Sequence, residues 1–328
     1  MNRPRLGFLG TGWIGRHRME AIVRTGAVEV AAIADPSPDM AAEAQKLAPD
    51  AAMADGLEGI LAQEVDGVVI ATPSALHAGQ SIQALQAGAA VFCQKPLGRT
   101  AAEVRAVVDA ARSADRLLAV DLSYRFTEGM RQIRPLIEDG ELGRVYAVDL
   151  VFHNAYGPDK PWFYDPALSG GGCVMDLGVH LVDLALWSLG FPEVNSVSSH
   201  LFAGGEPLGG RRDTVEDYAL ATLGLANGAA VRLACSWRLQ AGQEAVISAE
   251  FYGTAGGAAL RNVNGSFYDF EARRLNGTQS ELLASPPDEW GGRAAADWAK
   301  RLAAGEKFDP EAERLVDVAE VLDRIYGR

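Results

Sequence analysis

The stretch Arg5-Leu-Gly-Phe-Leu-Gly10-Thr-Gly12-Trp13-Ile14-Gly15, near the start of the 328-residue chain, decides the fold. Its apolar opening reads as a buried strand, and a glycine-rich turn follows at once. Glycine lets the chain turn tightly, lets backbone N–H groups come close to a ligand, and lets the next helix lie against the strand. A helical pattern, Ile14 to Arg24, opens on the last glycine, so its unpaired N–H groups and the positive end of its dipole face the turn. Twenty residues past Gly15, Asp35 ends the apolar run Val28 to Ala34, where a carboxylate can accept from a ribose. Strand, turn, helix and acid together predict a dinucleotide site built from Gly10, Gly12, Trp13, Ile14, Gly15 and Asp35. Pro36-Ser-Pro-Asp39 come next and supply no arginine for a 2'-phosphate, so NAD is expected to be preferred over NADP.

Outward from this stretch, the apolar runs Val68 to Ala71, Ala90 to Phe92 and Leu117 to Val120 alternate with helical patterns at Asp39 to Leu47, Ala75 to Gln86 and Thr100 to Ser113. Such alternation predicts a Rossmann-type, doubly wound parallel sheet over residues 1–122. Residues 123–328 read differently. Gly143 to Phe152, Val194 to Leu201, Asp217 to Leu225, Ala229 to Ser236, Glu244 to Tyr252 and Gly257 to Val263 are long strand patterns, with turn signals at Asn227-Gly228 and Asn264-Gly265. They predict an α+β domain on a large, mostly antiparallel open sheet. One apolar helix, Val174 to Leu189, interrupts the strands. Two helical patterns close the chain, Arg293 to Ala304 and Pro310 to Tyr326, and either can pack back on the first domain. The glycine-rich stretch Ala203 to Gly210 reads as a mobile loop.

With 48% hydrophobic and 22% charged residues the composition is that of a globular protein, and the length asks for two cores. A formal charge of -13 disfavours nucleic-acid backbones and anionic membrane surfaces as partners. No apolar run reaches the length of a membrane span. Three widely spaced cysteines, Cys93, Cys173 and Cys235, fit a reducing, cytoplasmic setting better than a disulfide framework.

Ala71-Thr72-Pro73-Ser-Ala-Leu-His77 leaves a strand at the carboxyl edge of the parallel sheet, where such sheets hold ligands. Thr72, Pro73 and His77 are therefore candidates to line the cofactor, beside the plainer readings of a helix-start turn and a capping or surface histidine. Cys93-Gln94-Lys95-Pro96 leaves the next strand at the same edge, and the proline stiffens the backbone that aims the Lys95 ammonium. In Gly170-Gly-Gly172-Cys-Val-Met-Asp176-Leu-Gly-Val-His180-Leu-Val-Asp183-Leu-Ala-Leu-Trp187, four residues fall within an arc of roughly 60° on an α-helix whose other faces are apolar or glycine: Asp176, His180, Asp183 and Trp187. Buried charge is costly unless paired, and an aspartate four residues from a histidine can orient its ring and raise its basicity. A satisfied structural Asp-His pair is the bland reading. A zinc site of Cys173, Asp176 and His180 is disfavoured by the lack of a second ligand cluster, and no metal is expected.

Together these residues resemble the glucose-fructose oxidoreductase, inositol dehydrogenase and MocA family of NAD(P)-dependent oxidoreductases, from the Gly10 to Gly15 turn through Thr72-Pro73 and Lys95-Pro96 to the helix with Asp176 and His180. The resemblance implies that Lys95 bonds the reacting oxygen, that His180 gives and takes its proton, and that Asp176 orients substrate or histidine. It also implies a homodimer or homotetramer formed through the open face of the second sheet. One departure stands out. The family reads Glu-Lys-Pro where this chain has Gln94-Lys95-Pro96, and Gln94 can bond a ribose hydroxyl without offsetting the lysine charge.

Arg125, His153 and Trp162 lie in stretches rich in aromatic and hydrogen-bonding groups, which suit a sugar or cyclitol and, for Trp162 to Tyr164, a subunit interface equally. The function implied is hydride transfer between a nicotinamide, held where the two domains meet, and a secondary hydroxyl or ketone of a sugar, cyclitol or related polyol. Two alternatives use the same residues. One is an NAD-retaining enzyme that oxidises transiently to allow glycoside cleavage, elimination or epimerisation, and the other is a catalytically silent NAD-binding sensor.

Overall fold

The computed structural model describes residues 3–211 and 213–328. The chain forms two compact units, residues 1–123 with 291–316 and residues 124–290 with 317–328.

In the first unit six parallel strands, β1 (Arg5–Leu9), β2 (Glu29–Ala34), β3 (Ala52–Met53), β4 (Gly67–Ile70), β5 (Ala90–Cys93) and β6 (Leu118–Val120), stand in the order β3-β2-β1-β4-β5-β6. The central strands β1, β4 and β5 are buried on both faces by helices, which is why they read as unbroken apolar runs. Chain direction across the sheet switches between β1 and β4, and the two turns that leave them, at Gly10 and Thr72, flank that point. The helices start where the sequence supplies caps: Ser37 and Thr100 accept the N–H groups of Met40 and Glu103. Arg293–Ala303 belongs to this unit, its Trp298 ring 5.8 Å from that of Phe92 beneath the sheet.

The second unit is a nine-stranded sheet. Its strands are β7 (Val145–Asn154), β8 (Val194–Ala203), β9 (Glu206–Pro207), β10 (Tyr218–Leu225), β11 (Ala230–Ser236), β12 (Ala245–Gly253), β13 (Gly257–Asn262), β14 (Phe270–Asn276) and β15 (Gln279–Ala284). They lie in the order β15-β14-β13-β12-β7-β11-β10-β8-β9, antiparallel except for β7 with β11. Helices cover one face, where Leu150, Ala249, Leu260 and Ala272 share a buried row. Three expectations change. β14 and β15 extend the sheet beyond the predicted strands, and Ala203 to Gly210 is a small hairpin, β8 with β9, rather than a loop. The predicted helix Val174 to Leu189 is a π-helical turn, Val174–Gly178, followed by an α-helix, Val179–Ser188. No helix of the described residues is long and apolar enough to cross a membrane.

Candidate active site

The glycine turn divides its labour among three positions. Gly10 has φ +84°, and a Cβ there would stand 2.6 Å from the Ala71 carbonyl oxygen. A Cβ on Gly15 would stand 2.1 Å from the Gly10 oxygen, so this glycine lets the helix Trp13–Arg24 press against β1. A Cβ on Gly12 would meet nothing within 4 Å, and Gly12 caps the helix without any side-chain bond. The helix therefore starts over open space, with no side chain taking its first N–H groups, a cradle that fits an anionic pyrophosphate. Trp13 and Ile14 flank it, Trp13 exposed and stacked on His17. Asp35 is tied into the same turn: Oδ2 accepts from the Thr11 N–H at 2.6 Å and from its hydroxyl at 3.3 Å, and Oδ1 accepts from the Ser37 N–H at 2.8 Å. Ribose hydroxyls would share a carboxylate already aimed by the loop.

Below the Thr72-Pro73 turn the Thr72 hydroxyl donates to Gln80 Oε1 at 2.6 Å. His77 is only 1% exposed, so it is not a surface histidine. Its Nδ1 lies 2.7 Å from the Pro96 carbonyl and its Nε2 2.6 Å from the Thr72 carbonyl, so the ring joins the turn after β4 to the turn that carries Lys95. Burial lowers its pKa, and a neutral ring donates to only one of the two carbonyls. Gln94 is also buried. Its amide N–H donates to Asp121 Oδ2 at 2.6 Å, the oxygen that Arg18 Nε reaches at 2.6 Å as well. The donor half expected to serve a ribose is thus spent on a carboxylate that needs donors where water is absent. Lys95 follows Gln94 in the chain and is partly exposed.

In the second unit the π turn carries Asp176, whose Oδ2 accepts the Trp237 indole N–H at 3.0 Å. His180 is 6% exposed, with its ring edge-on to Tyr124 at 4.9 Å and 6.4 Å from Phe152. Asp183 has its own partner: Arg125 donates to it through both Nε, at 2.8 Å, and Nη2. The Arg125 guanidinium also lies 5.6 Å from the Trp187 ring and 5.7 Å from that of Phe191. Burial pushes the Asp183 carboxyl upward while the guanidinium pulls it down. The fork on Asp183 uses two of the five Arg125 N–H donors. His153 is not brought to His180. It shares a row with Ser236, Tyr218 and Val246 on the sheet face opposite Phe152, bonding Ser236 Oγ at 2.8 Å and stacking on Tyr218. Trp162 stacks on Phe163 at 3.8 Å, and Phe163 and Tyr164 in turn pack edge-on to Trp237. A cavity of about 350 Å³ opens there, lined by Tyr164, Trp237, Arg238, Arg211 and Asp217. The cysteines are buried, Cys173 and Cys235 with sulfurs 3.8 Å apart, and burial pushes the Cys93 thiol up to about 12, so it is a packing group.

Sequence reasoning did not anticipate Asp121, Trp237 or Glu216. Asp121 ends β6, and Trp237 follows β11 at a position where an aromatic reads as core. Glu216 accepts from the Gly172 and Val174 N–H groups at 3.0 and 2.9 Å at the start of the helix bearing His180, but its Val-Glu-Asp context reads as a solvated loop.

A glycine cradle at the switch point of a parallel sheet, joined in one chain to an open mixed sheet whose helix carries a buried histidine, defines a two-domain dinucleotide-binding protein. The chain belongs to the GFO/IDH/MocA oxidoreductase family: residues 5–122 match the model described as oxidoreductase family, NAD-binding Rossmann fold, and residues 130–259 match the GFO/IDH/MocA C-terminal domain. It is similar to D-glucoside 3-dehydrogenase of Escherichia coli, 31% identical over 61% of this chain and 60% of that one. It is similar also to the rhizopine catabolism protein MocA of Rhizobium meliloti, 34% identical over 62% and 64%. The matches thus span less than two thirds of these relatives' length. In fold it resembles levoglucosan dehydrogenase in complex with NADH and L-sorbose, with a TM-score of 0.83 at 22% identity, over 99% of this chain and 96% of that one.

Proposed function

We propose that this chain is an NAD-dependent dehydrogenase or reductase acting on a secondary hydroxyl or ketone of a sugar, cyclitol or related polyol. The observation that carries the reading is His180, a titratable group 6% exposed among aromatic rings, on the same helix as Asp176. Bound NAD supplies the hydride acceptor. His180 removes or returns the hydroxyl proton, Lys95 steadies the developing alkoxide with a charge-assisted bond, and Asp176, held by Trp237, orients the hydroxyl or the imidazole. Gly10, Gly12 and Gly15 hold the pyrophosphate with Trp13 and Ile14, Asp35 takes the ribose, and Thr72, Pro73 and the Gln94 oxygen border the nicotinamide half. Support for a sugar comes from the aromatic and charged lining of the cavity beside Trp237, with the Trp162–Phe163 stack packed edge-on to Trp237 through Phe163, and from the names of the sugar dehydrogenases that this chain resembles. Arg125 serves by fixing Asp183, and His153, bonded to Ser236 on the sheet face opposite Phe152, is given no step in the proposed reaction.

NAD is preferred because a 2'-phosphate beside Asp35 and Asp39 would meet like charge, a penalty of roughly 2 kcal/mol or more. The family resemblance further proposes a homodimer or homotetramer through the helix-free sheet face, and the three cysteines propose a cytoplasmic setting. The test is a panel of sugars, cyclitols and glycosides offered to the protein with NAD and with NADP, followed by the near-ultraviolet absorbance of the reduced cofactor. Reduction of NAD by at least one ring polyol, faster than of NADP, is expected; a full panel with no reduction in either direction overturns the reading.

A further inference from the structure

The run Gly170-Gly171-Gly172 is packed against two side chains far away in sequence. A Cβ on Gly171 would stand 2.0 Å from the Tyr326 hydroxyl, and one on Gly172 would stand 1.9 Å from the Glu216 carbonyl oxygen. Glu216 is 1% exposed, and its carboxylate accepts from the Gly172 N–H at 3.0 Å, the Val174 N–H at 2.9 Å and the Tyr326 hydroxyl at 2.8 Å. Its backbone carbonyl takes the Cys173 N–H at 3.1 Å. Arg328 completes the grip, with Nη2 donating to the Gly170 carbonyl at 3.0 Å and the guanidinium 4.6 Å from the Tyr326 ring.

Helix starts leave several N–H groups unpaired, and a local serine, threonine, asparagine or aspartate normally takes one. Here Cys173, at the cap position, caps none of these N–H groups with its side chain, and the N–H groups of residues 172, 173 and 174 all turn to Glu216. A buried carboxylate is a costly cap, so its return is geometric. Reaching in from beside β10, it fixes the first turn of the helix relative to the sheet, and that turn is the π-helical one from which Asp176 projects, two residues past Val174. Burial pushes the Glu216 carboxyl and the Tyr326 phenol both upward, in keeping with a dry contact.

We propose that Glu216 and Tyr326 form a latch that positions the π turn and so aims Asp176 and His180, which makes the last residues of the chain part of the reaction apparatus at second hand. The proposal rests on the roles assigned above to Asp176 and His180. Its test uses Tyr326→Phe, Glu216→Gln and Glu216→Asp in the full chain, followed by thermal melting, cofactor titration, steady-state rates and NMR of the five histidine rings. Tyr326→Phe should melt within about 5 °C of the wild type. Its NAD affinity should be unchanged, its kcat about tenfold lower at nearly constant KM, and its His180 resonances displaced while those of His17 and His77 stay in place. Glu216→Gln, which keeps an acceptor at full reach, should retain more activity than Glu216→Asp, which falls short by a methylene. Folded Tyr326→Phe and Glu216→Gln proteins with wild-type kcat and unmoved His180 resonances overturn the latch. Should the wild type oxidise no sugar, the proposed function fails alone, and the His180 resonances still decide the latch; should Glu216→Gln not fold, Tyr326→Phe decides it.

Discussion

At the scale of single residues, Gln94 stands where the family resemblance implies a glutamate, and a buried partner compensates: the carboxylate of Asp121 accepts from both the Gln94 amide and Arg18 at 2.6 Å. A glutamate at 94 would remove the donor and set two carboxylates together in a dry site. Gln94→Glu should therefore cost about 2 kcal/mol of stability, and Asp121→Asn in the same chain should recover part of it, as measured by denaturant unfolding of the single and double variants. A Gln94→Glu protein as stable as the wild type removes the compensation. The candidate residues that could be read from sequence were those with a local reason. Asp35 ends a strand beyond a glycine turn, and His180 breaks an apolar helix. What could not be read was partnership: Arg125 finds Asp183, and Trp237 finds Asp176, about sixty residues away along the chain, where no periodicity links them.

At the scale of elements, the glycine turn makes a sharp prediction because its members do different things. Gly12→Ala adds a methyl to open space at φ −55°, so it should leave stability within about 0.5 kcal/mol while weakening NAD binding tenfold or more. Gly15→Ala drives a Cβ to 2.1 Å from the Gly10 oxygen and should cost roughly 2 to 3 kcal/mol before any cofactor is added. Melting curves with and without NAD separate the two, and identical behaviour of both variants would contradict the division. Five of the six parallel strands were legible because burial writes them as apolar runs, whereas β3, two residues that are not buried, carries no such mark. β15, Gln279–Ala284, was not, since an edge strand of mostly exposed residues carries no such mark. Nor was β14, where Glu271, Arg273 and Arg274 interrupt the apolar signal. The π turn was invisible for another reason: it is set by Glu216 and by close packing at the glycines, neither of which alters the helical pattern of residues 174–188.

At the scale of the molecule, His77 is buried and His153 half-buried, and both are pushed toward the neutral form. Burial is the first cause of the lowered pKa of His17, His77 and His153. For a base shifted down on folding, the unfolded chain binds more protons below the ordinary value of 6.5, so stability is present above that pH and is lost as pH falls through it. Asp183 and Glu216, shifted up by burial, respond in the opposite sense as they protonate, so a single comparison isolates the histidine. The stability difference between wild type and His77→Gln should shrink between about pH 7 and pH 5, and a difference independent of pH would contradict a neutral, buried His77. The reaction proposed for this chain gives Lys95 the alkoxide and His180 the proton. Its most direct measurement is turnover of the best sugar from the panel by Lys95→Met and His180→Ala, alongside NAD titration of each. Both variants should bind NAD as the wild type does and turn over roughly two to four powers of ten more slowly; wild-type turnover in either would contradict the account.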